Sequence, residues 1–152
     1  IYYSQFITRP DSAPAIDVPA FYDTMETLWR EQEVVLVRGS DRSLVEGRGT
    51  MRCAKSVHTV MCARRDAYAE IDQVERQVMD VCATHGVKRV LLCAGAMATA
   101  LAYRLARHGL HAIDLGHIGY LWRLYERRSK KDPEQEIKEA DLRDGVRLAK
   151  EK

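Results

Sequence analysis

The sequence predicts an α/β fold: a Rossmann-like three-layer sandwich with a mostly parallel sheet flanked by helices. Three observations predict it. Short apolar runs recur at Val34-Val35-Leu36-Val37, Thr59-Val60-Met61-Cys62, Val90 to Ala94 and His111 to Leu115. Continuous runs of this length mark strands buried on both faces. Stretches with helical apolar spacing alternate with them, which is the pattern of a parallel sheet covered on both sides. Glycine stands where strands and helices must end, most tellingly at Gly95, between a strand and a helix.

Each element has its own reason. Residues 1–15 read as irregular, because Pro10, Asp11, Ser12 and Pro14 cluster there. Asp17 can cap a helix with Pro19 in its first turn, and Phe21, Met25, Leu28 and Trp29 carry it to about Gln32. The first strand follows. Residues 38–49 form a polar loop with three glycines, and a short helix is expected over about 49–55. After the second strand, Asp66 can cap a long helix with Ile71, Val74, Val78 and Val81 on one face. It ends at Gly86, with His85 in its last turn. Gly95 turns the third strand into a helix bearing Met97, Leu101 and Leu105 and closed by Gly109. Beyond the fourth strand, Gly116 precedes a helix over 117–128, and Asp132-Pro133-Glu134-Gln135 starts a charged one. The expected organisation is a Rossmann-like domain over 1–128 and a charged C-terminal helix over 129–152.

Composition narrows the function. The chain has 152 residues, about one domain, with 46% apolar and 30% charged residues. A net charge of +2 does not argue for nucleic acid. No apolar run is long enough to span a membrane, and the N-terminus shows no secretory signal, so the expected location is cytoplasmic. Cys53, Cys62, Cys82 and Cys93 form no C-x-x-C pair and read as reduced thiols. His85, His108 and His111 read as surface residues.

In an open parallel sheet, ligands bind beyond the carboxyl ends of the strands. The loops on that edge carry Gly39, Ser40, Arg42, Gly47, Arg48, Arg64, Gly95, Thr99 and Gly116. Glycines let a ligand approach the backbone, helix N-termini offer free N–H groups, and arginines add fixed charge. The combination suits a phosphorylated ligand, although no loop matches a named phosphate motif. Asp114 and His117 are the candidate catalytic residues on this edge. Each also has a structural reading: a strand carboxylate bonded to backbone, and a histidine at a helix N-terminus.

The segment Gly95-x-x-Ala98-Thr99-x-Leu101-Ala102-Tyr103-x-Leu105-x-x-x-Gly109-x-x-Ala112-Ile113-Asp114-Leu115-Gly116-His117 resembles the C-terminal part of the GT-D-type glycosyltransferases, formerly a bacterial domain of unknown function. Ile7-Thr8-Arg9-Pro10, Ala54-Lys55-Ser56-Val57 and Leu44 with Gly47 support the likeness, which runs from about Phe6 to Tyr125. The resemblance implies transfer of a sugar from a nucleotide-sugar, usually a UDP-sugar, to a glycan or glycoprotein acceptor. It also implies a divalent ion, Mn²⁺ or Mg²⁺, at the diphosphate. The family's acidic metal motif is expected upstream of Ile1, so no metal ligand is assigned. The alternatives are a non-catalytic nucleotide-binding module and another Rossmann-like transferase.

Overall fold

Four parallel strands form one sheet in the order β2-β1-β3-β4. A computed structural model describes residues 17–39, 51–116, 118, 122 and 127. The chain divides into two units, Ile1–Trp122 and Arg123–Lys152, and the fold below is that of the first. Helix α1 (Val18–Glu26) leads into β1 (Glu33–Arg38), β2 (Ser56–Met61), α2 (Ile71–His85), β3 (Arg89–Cys93), α3 (Ala96–Arg107) and β4 (His111–Asp114).

Apolar β-branched and leucine residues make β1 and β3 the central strands. Val34, Val35, Leu36 and Val37 are buried, as are Val90, Leu91 and Leu92. Side chains alternate between sheet faces. Val35, Val37, Val90 and Leu92 therefore share one face, in one core cluster with Val74 and Val78 of α2 and Leu101 and Leu105 of α3. Arg104 ties the two helices together through Asp72 and through Glu75 at 3.0 Å, and His108 meets Glu75 at 3.1 Å. The opposite face presents Val34, Leu36 and Leu91. Tyr22 and Trp29 are fully buried and stand outside the α2–α3 cluster.

Four expectations need correction. The first helix stops at Glu26 instead of reaching Gln32. Its last carbonyls are taken by turn bonds, Trp29 N–H to Glu26 at 3.1 Å and Leu28 N–H to Met25 at 3.0 Å. Apolar spacing continues into that turn because Trp29 is still buried, so periodicity alone overran the helix. The helix near 49–55 is a 3₁₀ turn at Met51–Cys53. Asp66 does not cap by its side chain: it takes a left-handed backbone (φ 53°) before a 3₁₀ turn, Ala67–Glu70, that leads into α2. Finally, β2 and β4 lie at the sheet's edges among the described residues. Their residues alternate between exposed and covered or are half-buried; they are not buried on both faces.

The helix ends follow expectation. Gly86 closes α2 at φ 68°, and Gly109 follows α3 at φ 79°, both in the left-handed region that favours glycine. Of the helix expected over 117–128, Ile118, Trp122 and Arg127 are described, and all three are helical. The irregular reading of 1–15 and the charged C-terminal helix lie outside the described residues. All four cysteines are free thiols, with Cys82 buried and the others half-buried. His85, His108 and His111 are exposed.

Candidate functional site

The strand order creates a crevice that neither sequence neighbourhood contains by itself. The connection after β1 leads outward to β2, whereas the one after β3 leads the other way, to β4. Between two such strands the connections diverge, and the gap beyond their carboxyl ends is where doubly wound sheets take ligands. Arg38 and Cys93 end β1 and β3 in register with each other. Gly39 follows Arg38, and Gly95 follows Cys93 by two residues.

Gly95 is the sharpest feature of this edge. Its backbone (φ 58°, ψ −140°) lies in a region open almost only to glycine. The turn delivers α3 with no side-chain cap and no acidic residue in its first turn. A twelve-residue helix thus ends in uncapped N–H groups and a positive dipole end at the strand termini. Such an end attracts an anion.

Asp114 organises the neighbouring strand end. One carboxylate oxygen accepts the Gly116 N–H at 2.9 Å, and the other accepts the Thr99 hydroxyl at 3.0 Å. One carboxylate therefore fixes the β4 turn (Gly116, φ 55°) to the first turn of α3. Both of its oxygens are engaged, so Asp114 positions Thr99 and the Gly116 N–H.

On the other side, the loop after β2 packs close to the crevice. A side chain at Gly39 would meet the Arg64 backbone at 3.4 Å, so glycine lets the two loops approach. The Cys62 N–H extends the ladder to Arg38 at 3.0 Å, and Glu70 holds the Ala63 N–H at 3.1 Å. Arg64 and Arg65 are left exposed on this fixed loop.

The edge thus assembles Gly39, Arg64, Gly95, Thr99, Asp114 and Gly116 from four separate loops. Ser40, Arg42, Gly47, Arg48 and His117 lie outside the described residues. Arg38, expected to open the polar loop 38–49 on this edge, is instead the last residue of β1 and belongs with the set, half-buried beside Cys93.

Cys93 is not a nucleophile here. Burial pushes its thiol up to about 12, the Asp114 carboxylate adds to the rise, and Arg38 opposes it. At pH 8 its thiolate fraction is roughly a thousandfold below that of an ordinary cysteine. A thiol-disulfide reagent at pH 8 is therefore expected to spare Cys93 in the folded chain and label it after unfolding, read by mass spectrometry. The folded chain also keeps this proton to higher pH than the unfolded chain. The thiol's stabilising contribution therefore falls as pH rises from the ordinary thiol range towards about 12.

The described residues do not assemble a divalent-cation site. No group of three His, Cys, Asp or Glu residues among them could hold a metal. Nor does any described helix have the length and apolarity to cross a membrane.

Known proteins resemble this chain over most of its length. The family model for the glycosyltransferase GT-D fold matches residues 1–140. A probable glycosyl transferase, Gly, of Streptococcus gordonii is 28% identical over 129 residues, 80% of this chain and 18% of that protein. A solved structure described as a new glycosyltransferase (DUF1792) from Streptococcus sanguinis superposes with a TM-score of 0.71 at 27% identity, covering 83% of this chain and 47% of that one. A second, described as domain of unknown function 1792 with a distinct glycosyltransferase fold, gives 0.69 at 30% identity, covering 84% and 46%. The chain therefore spans about half the length of these solved structures and less of the curated relative.

Proposed function

Because this chain belongs to the glycosyltransferases of the GT-D fold, we propose that it binds the donor for transfer of a sugar from a nucleotide-sugar, a UDP-sugar, to a glycan or glycoprotein acceptor in the cytoplasm. The observation that carries this reading is the uncapped N-terminus of α3, held by Gly95 at the divergence of β1 and β3. A diphosphate placed there accepts backbone N–H groups and meets the helix dipole. Thr99 donates its hydroxyl to Asp114, which ties the first turn of α3 to the end of β4. Arg38, Arg64 and Arg65 supply positive charge along the same edge.

Sugar transfer leaves negative charge on the departing nucleoside diphosphate. Preorganised N–H donors and arginines at that position stabilise the charge as it develops, without reorganising at the moment of reaction. Ser40, Arg42, Gly47 and Arg48 are proposed to complete the donor loop. His117, next to Gly116, is the proposed proton-handling group, with Asp114 orienting the turn that carries it. A divalent ion, Mn²⁺ or Mg²⁺, stays in the proposal as a counter-ion for the diphosphate. Its ligands are not among the described residues, and no step here is routed through it.

Titration calorimetry with UDP and UDP-sugars, with and without Mn²⁺, tests the reading. UDP is expected to bind, and Arg64→Glu to weaken it at least fivefold; absence of UDP binding under either condition sinks the proposal. The lack of a metal-holding acidic group among the described residues favours one narrower reading, a donor-binding module that is not catalytic by itself. That reading predicts UDP binding without hydrolysis or transfer of the sugar, and measurable turnover rejects it.

A further inference from the structure

A second cavity opens at the other edge of the sheet. It has a volume of about 370 Å³ and lies where the strands begin, lined among others by Glu31, Gln32, Glu33, Lys55, Lys88, Arg89 and His111. The strand between the two edges is six residues long, roughly 17 Å from end to end. A ligand here touches nothing at the carboxyl edge. The cavity is a site apart from the proposed donor crevice and independent of that reading.

The wall is rigid where rigidity matters. Arg89 Nη1 donates to the Leu28 carbonyl at 2.7 Å, which fixes the guanidinium and leaves its other donors uncommitted among the described residues. The His111 N–H is bonded to Lys88 at 2.8 Å, joining the start of β4 to the turn before β3. The Glu31 N–H donates to Cys53 at 2.7 Å, and this bond holds Glu31 in the left-handed region at φ 58°. The Lys55 N–H donates to Gln32 at 2.9 Å. Four turns distant in sequence are thus tied into one rim.

Charge sorts the ligand. Glu33 and Lys55 neutralise each other at 2.9 Å, and each holds the other in its charged form. That leaves Lys88, the remaining donors of Arg89 and the His111 ring, and with them in the same lining the Glu31 carboxylate and the Gln32 amide. Among the described residues the side chains of Glu31, Gln32, Lys88 and His111 have no hydrogen-bond or ion-pair partner. A cationic group of this kind takes an oxyanion. A carboxylate and an amide lining the same cavity take hydroxyl groups. A volume of about 370 Å³ accommodates one small molecule with both.

We propose that this amino-edge cavity binds a small phosphorylated sugar or polyol, its phosphate on Lys88, Arg89 and His111 and its hydroxyls on Glu31 and Gln32. The ligand engages no strand-end group of the carboxyl edge. Its role is to bind at a second site.

The test is an amide-resolved NMR titration of the whole chain at fixed ionic strength, with inorganic phosphate and with glucose 6-phosphate. Saturable shifts are expected at Gly86, Lys88, Arg89 and His111, with glucose 6-phosphate binding at least fivefold tighter than phosphate. Lys88→Glu should weaken both at least tenfold. Arg76→Glu, the same charge change on the exposed face of α2, should weaken neither by more than twofold. Glu31→Ala should abolish the preference for the sugar phosphate and leave phosphate binding in place. Shifts confined to Gly39, Gly95 and Gly116, non-saturating shifts, equal losses in Lys88→Glu and Arg76→Glu, or no preference for the sugar phosphate each overturn the proposal.

Discussion

Gly95→Ala is expected to destabilise the fold by about 1–3 kcal/mol and to weaken UDP binding at least tenfold. The cause is backbone alone. A Cβ added at Gly95 meets nothing within 4 Å, so no clash contributes. What alanine cannot adopt is φ 58° with ψ −140°. To relieve that strain the turn must move, and the turn is what aims the first N–H groups of α3 at the strand ends. Stability and binding should therefore fall together. Gly86→Ala is the control. Gly86 also has open space and a positive φ (68°), but its ψ of 19° is ordinary left-handed backbone, at the far end of the sheet. It should cost about 1–2 kcal/mol and leave UDP affinity unchanged. Urea melts with calorimetry separate the two variants. Equal loss of UDP affinity in both would show that the Gly95 turn does not aim the helix at the ligand.

The contrast between those two glycines marks how far the sequence could be read. Glycine at each end of a helix is visible in the letters, and so are the apolar runs that place Val34–Val37 and Val90–Leu92 in strands. Local chemistry decides both. Strand order is a different matter. That β3 pairs with β1, with β2 on the other side, follows from long-range packing of α2 and α3 on one face, and no local signal records it. Without the order, Arg38 reads as the start of a loop; with it, Arg38 stands in register with Cys93 at the divergence of two connections. Asp114 shows the same limit. Its position in a strand was readable, but its simultaneous bonds to Thr99 and Gly116 depend on where α3 docks. The amino-edge cavity was illegible altogether, because its rim comes from turns between residues 31 and 111 that share no motif.

Trp29→Ala should be the most damaging single change in the described fold, at about 3–5 kcal/mol. Trp29 looked like the end of an amphipathic helix, yet α1 stops at Glu26 and the chain reaches Trp29 through a turn. The indole is nevertheless fully buried. Its place explains why. The sheet face opposite α2 and α3 carries Val34, Leu36 and Leu91, each 3% exposed or less, and these side chains must be covered. α1 is only nine residues long and buries a single residue, Tyr22, so other residues outside the α2–α3 cluster are buried with it, Trp29 along with Met51, Ile118 and Trp122. Removing the indole opens a hole that a turn braced from both sides cannot close. Glu31 N–H is tied to Cys53 at 2.7 Å, and Leu28 C=O is held by Arg89 at 2.7 Å. Against a total stability of about 5–15 kcal/mol, the loss takes from about a fifth to all of the margin. Trp29→Phe keeps most of the buried area and should cost less than half as much. An unfolding free energy from urea melts of Trp29→Ala within about 0.5 kcal/mol of the parent's would mean that the turn, unlike α3, packs loosely on its face of the sheet.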